Sequence, residues 1–302
     1  MSNLVKQAIL VLTIAMLGAL PAHSKVLHKE RSMYRNIIVE ETSNLRCLRF
    51  NVKSSKTNQS CFYTNEPQRL VFNYTKLLFS SLLVTSQQPE RILIVGLGGG
   101  TMSNTLHQLF PDAKIENVEI DPAVISVARE YFAFFENDNV TSKAQDGRIF
   151  MKRAAIKKQK YDWIILDAFN GDYIPEHLMT KEFLEEAKHL LTENGVLSAN
   201  TFSVSKLYKH ESATYKAVFG DFFNVSNNKN SNRIILTSSQ PLPDGKVIAD
   251  RAKALYDRLL PYGVNIHEIT TYMYSTVTHQ DWDNDTKVLT DQYSPANLLN
   301  LN

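Results

Sequence analysis

The stretch YDWIILDAFNGDYIP (161–175) carries an apolar run that ends in Asp167, with Asn170 three positions on and Asp172 two beyond that. A carboxylate where a buried strand surfaces can hold a cation or remove a proton from a reacting amine or hydroxyl. An asparagine between two such acids is neutral and cannot act as a base. Phe169 and Tyr173 flank the group, and they read equally well as pocket lining or as packing.

Three further groups of residues belong to the same kind of chemistry. VGLGGGTMSNTL places Gly96, Gly98, Gly99 and Gly100 between an apolar run and a helical pattern, more glycine than a tight turn needs. No Lys-Ser/Thr follows the last glycine, so the loop is not a P-loop. VEIDP brings Glu119 and Asp121, with Glu119 placed 19 residues after Gly100, where an acid can accept hydrogen bonds from both ribose hydroxyls of a nucleoside. QDG adds Asp146 and Gly147; Asp146 reads either as an acceptor for an exocyclic adenine amine or as a turn or helix cap. Glycine loop, ribose acid, adenine acid and Asp167 together describe a site for an adenosine-containing ligand. The dinucleotide fingerprint is incomplete, because Thr101 stands where its third glycine belongs. That favours a nucleoside-sulfonium ligand over a nicotinamide one.

The elements that must position these residues read as follows. RILIVGL is a continuous apolar strand of the kind buried on both faces. TMSNTLHQLF is a helix, KIENVEI a strand, and PAVISVAREYF a helix opening on Pro122. VTSKAQ and YDWIILDAF are strands, KEFLEEAKHLL is a helix closed by Asn194-Gly195, and GVLSANTF is a strand. After the helix SKLYKHESATYKAVF, FFNVSN and NRIILTSS form a hairpin, and KVIADRAKALYDRLL is a last helix. Strands alternating with helices predict an α/β, doubly wound, mostly parallel seven-stranded sheet with an antiparallel strand at one edge. Upstream, NIIVEET, LRCLRFNV and SCFYT are short strands of a small N-terminal β appendage, followed by one helical stretch over 66–86. The expected division is a leader over 1–24, a β hairpin domain over 25–65 and the Rossmann-like domain over 66–302.

With 43% hydrophobic and 21% charged residues the chain has ordinary globular composition, and a net charge of +2 without any basic run predicts no nucleic-acid partner. The leader has Lys6, an apolar run from Ala8 to Leu20, and small residues at Ala22 and Ser24. That run is short of the roughly 20 residues a bilayer span needs, and the pattern is that of a secretory signal cleaved near Ser24, with an uncleaved anchor as the other reading. The chain is therefore expected to be exported, to a periplasm-like compartment. Cys47 and Cys61 are equally distant from Ser54 in a hairpin pattern, so they are either a disulfide or two half-buried thiols. Their spacing suits no zinc site, and no metal is expected.

The motifs RILIVGLGGGT, VEIDPAVISVAREYF, QDGRIF, YDWIILDAF and GVLSAN resemble the spermidine synthase (polyamine aminopropyltransferase) family. SMYRNIIVEE is similar to that family's N-terminal strand, FNYTKLL to the segment with its active-site tyrosine, and VLTDQYSPANLL to the tail of spermidine synthase-like proteins. The resemblance implies the fold of class I S-adenosylmethionine-dependent methyltransferases. It also implies aminopropyl transfer from decarboxylated S-adenosylmethionine to a small-molecule amine, and a homodimer. By position, the Gly96–Gly100 loop would hold the methionine-derived part, Glu119 the ribose and Asp146 the adenine amine. Asp167 would be the first acid of the family's D-x-x-D motif, and Tyr74 the tyrosine near the attacking amine.

The pattern departs from the family on the acceptor side. The second acid of D-x-x-D falls on Asn170, the glutamine after the tyrosine is Thr75, and the acid after that is Lys76. An amine with a pKa of about 10 is protonated at neutral pH and needs a carboxylate to hold and deprotonate it. Lys76 would oppose a diamine if it pointed into the pocket. Gly171 permits an unusual turn, so Asp172 either curls back into the base position or is an exposed loop carboxylate. Three functions follow: an aminopropyltransferase-like enzyme, an S-adenosylmethionine-dependent methyltransferase on the same fold, and a non-catalytic exported nucleoside- or polyamine-binding protein.

Overall fold

The computed structural model describes residues 24–50, 58–168, 174–203, 207–227 and 231–294. The leader before Ser24, with its signal and anchor readings, lies outside the described residues, as do Phe169, Asn170, Gly171, Asp172 and Tyr173.

The chain opens with an antiparallel sheet in the order β1 (Lys25–Arg31), β2 (Asn36–Thr42), β3 (Leu45–Phe50), β4 (Asn58–Tyr63). Three of these strands follow the sequence pattern. The first, KVLHKER, is largely exposed and has no apolar alternation to announce it. Cys47 and Cys61 are direct cross-strand partners in β3 and β4 and are joined as a disulfide, which resolves the two readings of the pair. The inner face of this sheet, with Ile37, Val39, Leu48, Phe50 and Phe62, packs on Val124, Val127 and Phe132.

The helical stretch after it is two short helices, α1 (Asn73–Leu78) and α2 (Ser81–Val84), not one. The break comes where the Ser80 and Ser81 hydroxyls turn back to the carbonyls of Leu77 and Leu78. Such local bonds compete with a regular helical ladder.

The main sheet has eight strands in the order β12-β10-β11-β9-β8-β5-β6-β7. Its parallel part is β5 (Arg91–Val95), β6 (Lys114–Glu119), β7 (Val140–Ala144), β8 (Tyr161–Leu166) and β9 (Leu191–Phe202). Between these strands run α3 (Thr101–Leu109), α4 (Pro122–Tyr131), α5 (Gly147–Ile156) and α6 (Lys181–His189). α7 (Tyr208–Phe219) leads to the antiparallel edge of β10 (Phe223–Val225) and β11 (Asn232–Ser238). Beyond the expected seven strands, β12 (Met273–Ser275) pairs with β10 after α8 (Gly245–Leu259) and α9 (Ile266–Thr270).

Alternate side chains of the central strands serve two cores. Ile92, Ile94, Trp163 and Ile165 point to one face, and Leu93, Val95, Ile164 and Leu166 to the other. That is why both strands read as unbroken apolar runs. Asn194-Gly195 does not cap α6. The helix ends at His189, and residues 191–202 are already strand, with a register irregularity where Tyr161 pairs with Leu191 but Trp163 with Val196. The Asn-Gly pair sits in that irregularity, where extra residues in one strand need a backbone that bends.

The strand order runs outward from β5 in one direction through β6 and β7, and in the other through β8 and β9. Ligands of open α/β sheets bind beyond the carboxyl ends of the strands at this switch point.

Candidate active site

A cavity of about 640 Å³ opens at the carboxyl ends of β5, β6 and β8. That volume suits a nucleoside-sized ligand with a small partner. Gly96, Gly98, Glu119, Asp146, Gly147 and Asp167 line it, together with Tyr74.

Gly96 holds φ +100°, and a Cβ there would lie 2.2 Å from the carbonyl oxygen of Asp167. No other residue allows the loop to pass so close to the end of β8. Gly99 and Gly100, expected to touch ligand, do not line the cavity. Gly100 holds φ +72°, and a Cβ there would lie 2.6 Å from the Phe134 ring; one on Gly99 would lie 2.9 Å from Phe132. These two glycines let the loop pack on the segment that ends α4.

Glu119 ends β6 with its carboxylate spread across the loop. Oε2 accepts from the Leu97 amide at 3.1 Å and Oε1 from the Asp121 amide at 3.1 Å. Burial pushes its pKa up, and the Arg35 guanidinium and the two amides offset part of that. Each oxygen keeps a lone pair for a ligand hydroxyl. Asp121, expected beside it in the site, is buried away from the cavity. Its carboxylate caps α4 through the Ala123 amide at 3.0 Å, accepts from Ser32 Oγ at 2.5 Å, and lies 3.7 Å from Arg35 Nε. It fastens the N-terminal sheet to the Rossmann-like domain.

Asp146 shows the cap that its motif allowed. It caps α5, accepting from the Ile149 amide at 2.9 Å, and it also lines the cavity. Its Oδ2 lies 2.9 Å from His177 Nε2. Burial pushes its pKa up, but the Ile149 amide and His177 outweigh that and hold it below the usual carboxylate range. Gly147 is fixed by packing, because a Cβ there would lie 2.5 Å from Val95.

Asp167 continues the sheet ladder by donating its amide to the Val95 carbonyl at 2.8 Å. Its carboxylate is held by side chains: Tyr74 Oη donates to Oδ2 at 3.2 Å, and Asn200 Nδ2 donates to Oδ1 at 2.8 Å. Asn232 Nδ2 donates in turn to Asn200 Oδ1 at 3.0 Å. Burial pushes the Asp167 pKa up to about 7, with the Asn200 and Tyr74 bonds opposing and the Glu119 charge adding. The Tyr74 hydroxyl is held well above its ordinary pKa by burial and by Asp167, so it stays a donor.

The departures at Thr75 and Lys76 resolve differently. Thr75 lines the cavity, but its hydroxyl donates to the Phe72 carbonyl at 2.7 Å, within its own helix turn. Lys76 does not line the cavity. Its Cε lies 3.7 Å from where a Cβ on Gly263 would sit, and burial and the Arg69 charge lower its pKa. Its charge therefore lies off the pocket. The assignments to Asn170 and Asp172 lie outside the described residues.

Sequence reasoning missed Arg35, His177, Asn200 and Asn232, all of which line the cavity. Asn200 had a usable signal, a polar residue ending the apolar run of GVLSAN, as Asp167 ends its own run. Arg35 comes from a turn between strands and His177 from a short 3-10 helix, with no local pattern to single them out.

Residues 71–228 match the family model described as spermine/spermidine synthase domain. The chain is 46% identical over 278 residues to the polyamine aminopropyltransferase of Vibrio vulnificus (strain CMCP6), across 91% of this chain and 92% of that one. Among solved structures, a probable spermidine synthase from Corynebacterium glutamicum ATCC 13032 aligns with a TM-score of 0.66 at 22% identity, over 83% of this chain and 90% of that one. A spermidine synthase in complex with the transition state analogue AdoDATO aligns with a TM-score of 0.56 at 17% identity, over 79% and 88%. The two structures share the fold described above.

Proposed function

We propose, since the chain belongs to the spermine/spermidine synthase family, that its cavity binds decarboxylated S-adenosylmethionine and presents an amine to the aminopropyl carbon. The observation that carries the reading is Asp167: a carboxylate at the switch point, held by Tyr74 and Asn200, with a pKa near 7. Glu119 is the ribose acceptor and Asp146 the adenine-amine acceptor in this reading.

In the transfer, the amine first gives up a proton, and its free lone pair attacks the carbon bonded to the sulfonium. The carbon–sulfur bond breaks with both electrons going to sulfur, and methylthioadenosine leaves as a neutral thioether. Asp167 is suited to the preceding steps. As a carboxylate it attracts the ammonium, and a pKa near the working pH is where a general base is most effective. Tyr74 and Asn200 aim its oxygens without adding charge. Lys76 does not line the cavity, so its own cation does not oppose the ammonium there.

The test is calorimetry of decarboxylated S-adenosylmethionine against S-adenosylmethionine, followed by product detection with a panel of mono-, di- and triamines. Tight binding of the decarboxylated form and an alkylated amine product are expected. Preference for the carboxylated form with methyl transfer would replace the reading with a methyltransferase. Binding without any product would leave a nucleoside-binding protein.

We also propose export. The Cys47–Cys61 disulfide is the kind of cross-link that persists in oxidising compartments, and the leader pattern agrees with it. Thiol labelling of the protein from separated cell fractions tests this: a reduced pair in a cytosolic fraction overturns it.

A further inference from the structure

Directly behind the adenine acid runs a charged assembly that the transfer reaction does not use. Arg148 follows Asp146-Gly147 in α5, is nearly buried, and points away from the cavity. Its Nη1 and Nη2 donate to Asp291 Oδ1 and Oδ2 at 2.7 and 2.8 Å, a two-pronged pair with a residue near the C-terminus. Its Nε and Nη2 donate to Glu186 at 3.0 and 2.9 Å. Nη1 also reaches the His177 carbonyl at 3.4 Å.

The tail segment is itself fixed where it crosses α6. Thr180 Oγ1 donates to Asp291 Oδ1 at 2.7 Å, the Asp291 amide donates to Glu182 at 2.9 Å, and the Lys181 amide donates to the Leu289 carbonyl at 2.8 Å. Leu289 is fully buried with Met179 and Leu207. His177 closes the circuit: its backbone is held by Arg148, and its imidazole lies against Asp146 on the cavity wall.

We propose that the C-terminal segment sets the geometry of the nucleoside pocket through this chain, with Asp291, Arg148 and His177 acting as positioning residues for Asp146. Asp146 has one oxygen on the Ile149 amide and the other on His177, so the direction of its remaining lone pairs depends on where His177 sits. His177 sits where Arg148 holds its carbonyl, and Arg148 sits where the two carboxylates hold its fork. Arg148 holds the Asp291 carboxyl down at about 2, so the pair is ionised throughout the working range. The inference rests on the nucleoside reading of the cavity.

Removing Arg148 would leave Glu186 and Asp291 facing each other without their cation and empty a nearly buried position, which risks unfolding. The informative variants are therefore Asp291→Asn and His177→Ala, singly and together, in the full chain. Each is titrated calorimetrically with decarboxylated S-adenosylmethionine and with 5′-methylthioadenosine, and steady-state KM values are taken for nucleoside and amine separately. We expect each single variant to weaken nucleoside binding about tenfold, the scale of a misplaced contact short of its loss, with the amine KM moved less than twofold. The double variant should be no weaker than about the worse single one, because both act on one chain.

Nucleoside affinity unchanged in Asp291→Asn, an equal rise in both KM values, or simply additive losses would overturn the inference. Wild-type protein that binds neither nucleoside would instead overturn the reading of the cavity, and this inference with it.

Discussion

In the proposed reading the cavity has a nucleoside end and an acceptor end, and the two are held differently. At the nucleoside end, Glu119 and Asp146 are aimed by backbone amides, those of Leu97 and Asp121 in one case and Ile149 in the other. At the acceptor end, Asp167 is aimed by side chains from distant parts of the chain, Tyr74 in α1 and Asn200 in β9. Backbone amides are fixed by the turn and the helix start themselves, so Glu119 and one oxygen of Asp146 are anchored by the fold, while His177 sets the other Asp146 oxygen. Side-chain donors can be exchanged one at a time, so the acceptor end can change its chemistry while the fold stays the same. The departures that the resemblance implied, at Thr75, Lys76 and Asn170, all belong to the acceptor side of that contrast.

The largest expected effect tests whether Asp167 is the acceptor-end base. Asp167→Asn keeps the shape, leaves one oxygen for the Tyr74 and Asn200 donors, and removes the charge and the proton acceptor. A loss of about 10²–10⁴-fold in kcat/KM for the amine is expected, the range for a general base, with nucleoside affinity kept. Steady-state kinetics with calorimetry checks this. An amine kcat/KM within threefold of wild type would transfer the role elsewhere and break the contrast between the two ends.

Glu119→Gln is the matching change at the other end. It leaves one oxygen for the two backbone amides and for the ribose hydroxyls. Hydrogen bonds to a charged group contribute about 1.5–3 kcal/mol, so the nucleoside KM should rise about 10- to 100-fold while the amine KM stays near its starting value. A rise in both would mean that the ends are coupled rather than separately built.

The same contrast governed what the residues disclosed in advance. Gly96, Glu119 and Asp146 were legible because each sits within a few positions of the strand end that positions it, and local spacing implies local geometry. Asp121 misled for a related reason. A carboxylate two residues past a strand end and just before Pro122 satisfies a ribose pattern and a helix cap equally well, and only its contacts with Ser32 and Ala123 decide. Gly99 and Gly100 misled because a glycine needed for packing on Phe132 and Phe134 looks in sequence like one needed for a ligand. Lys76 carried the right residue type but the wrong direction, since the side of a short helix that faces a cavity is set by tertiary packing. Asn200, Asn232, Arg35 and His177 are brought in across long sequence separations, and no spacing rule spans those distances. The cross-strand placement of Cys47 and Cys61, by contrast, followed from hairpin symmetry, which is local, and the structure decides between disulfide and thiols.

A pH series sharpens the assignment further. The Asp167 pKa is raised to about 7 by burial, so below pH 7 the free enzyme carries it protonated and without charge for an ammonium. As pH rises through about 7 the carboxylate forms, and kcat/KM for the amine should climb about tenfold per unit below that point and then level off. It should stay level until the amine itself loses its proton near about 10. Asp167→Asn should abolish the climb. The Asp146 contact should not titrate across pH 6 to 8, because Asp146 is held below the usual carboxylate range and stays ionised there.

The smallest effect is the most diagnostic of how the acceptor end is held. Tyr74→Phe removes one donor at 3.2 Å and nothing else. A net contribution of about 1 kcal/mol corresponds to roughly a fivefold loss in kcat/KM at pH 8. Because the Tyr74 bond favours the ionised carboxylate, its removal should also raise the Asp167 pKa and move the acid limb of the profile to higher pH. The loss should therefore be larger at pH 6 than at pH 8. A fivefold loss that is uniform with pH would mean that Tyr74 touches the amine rather than aiming the acid. An acid limb that moves down would mean that Asp167 is not the titrating group.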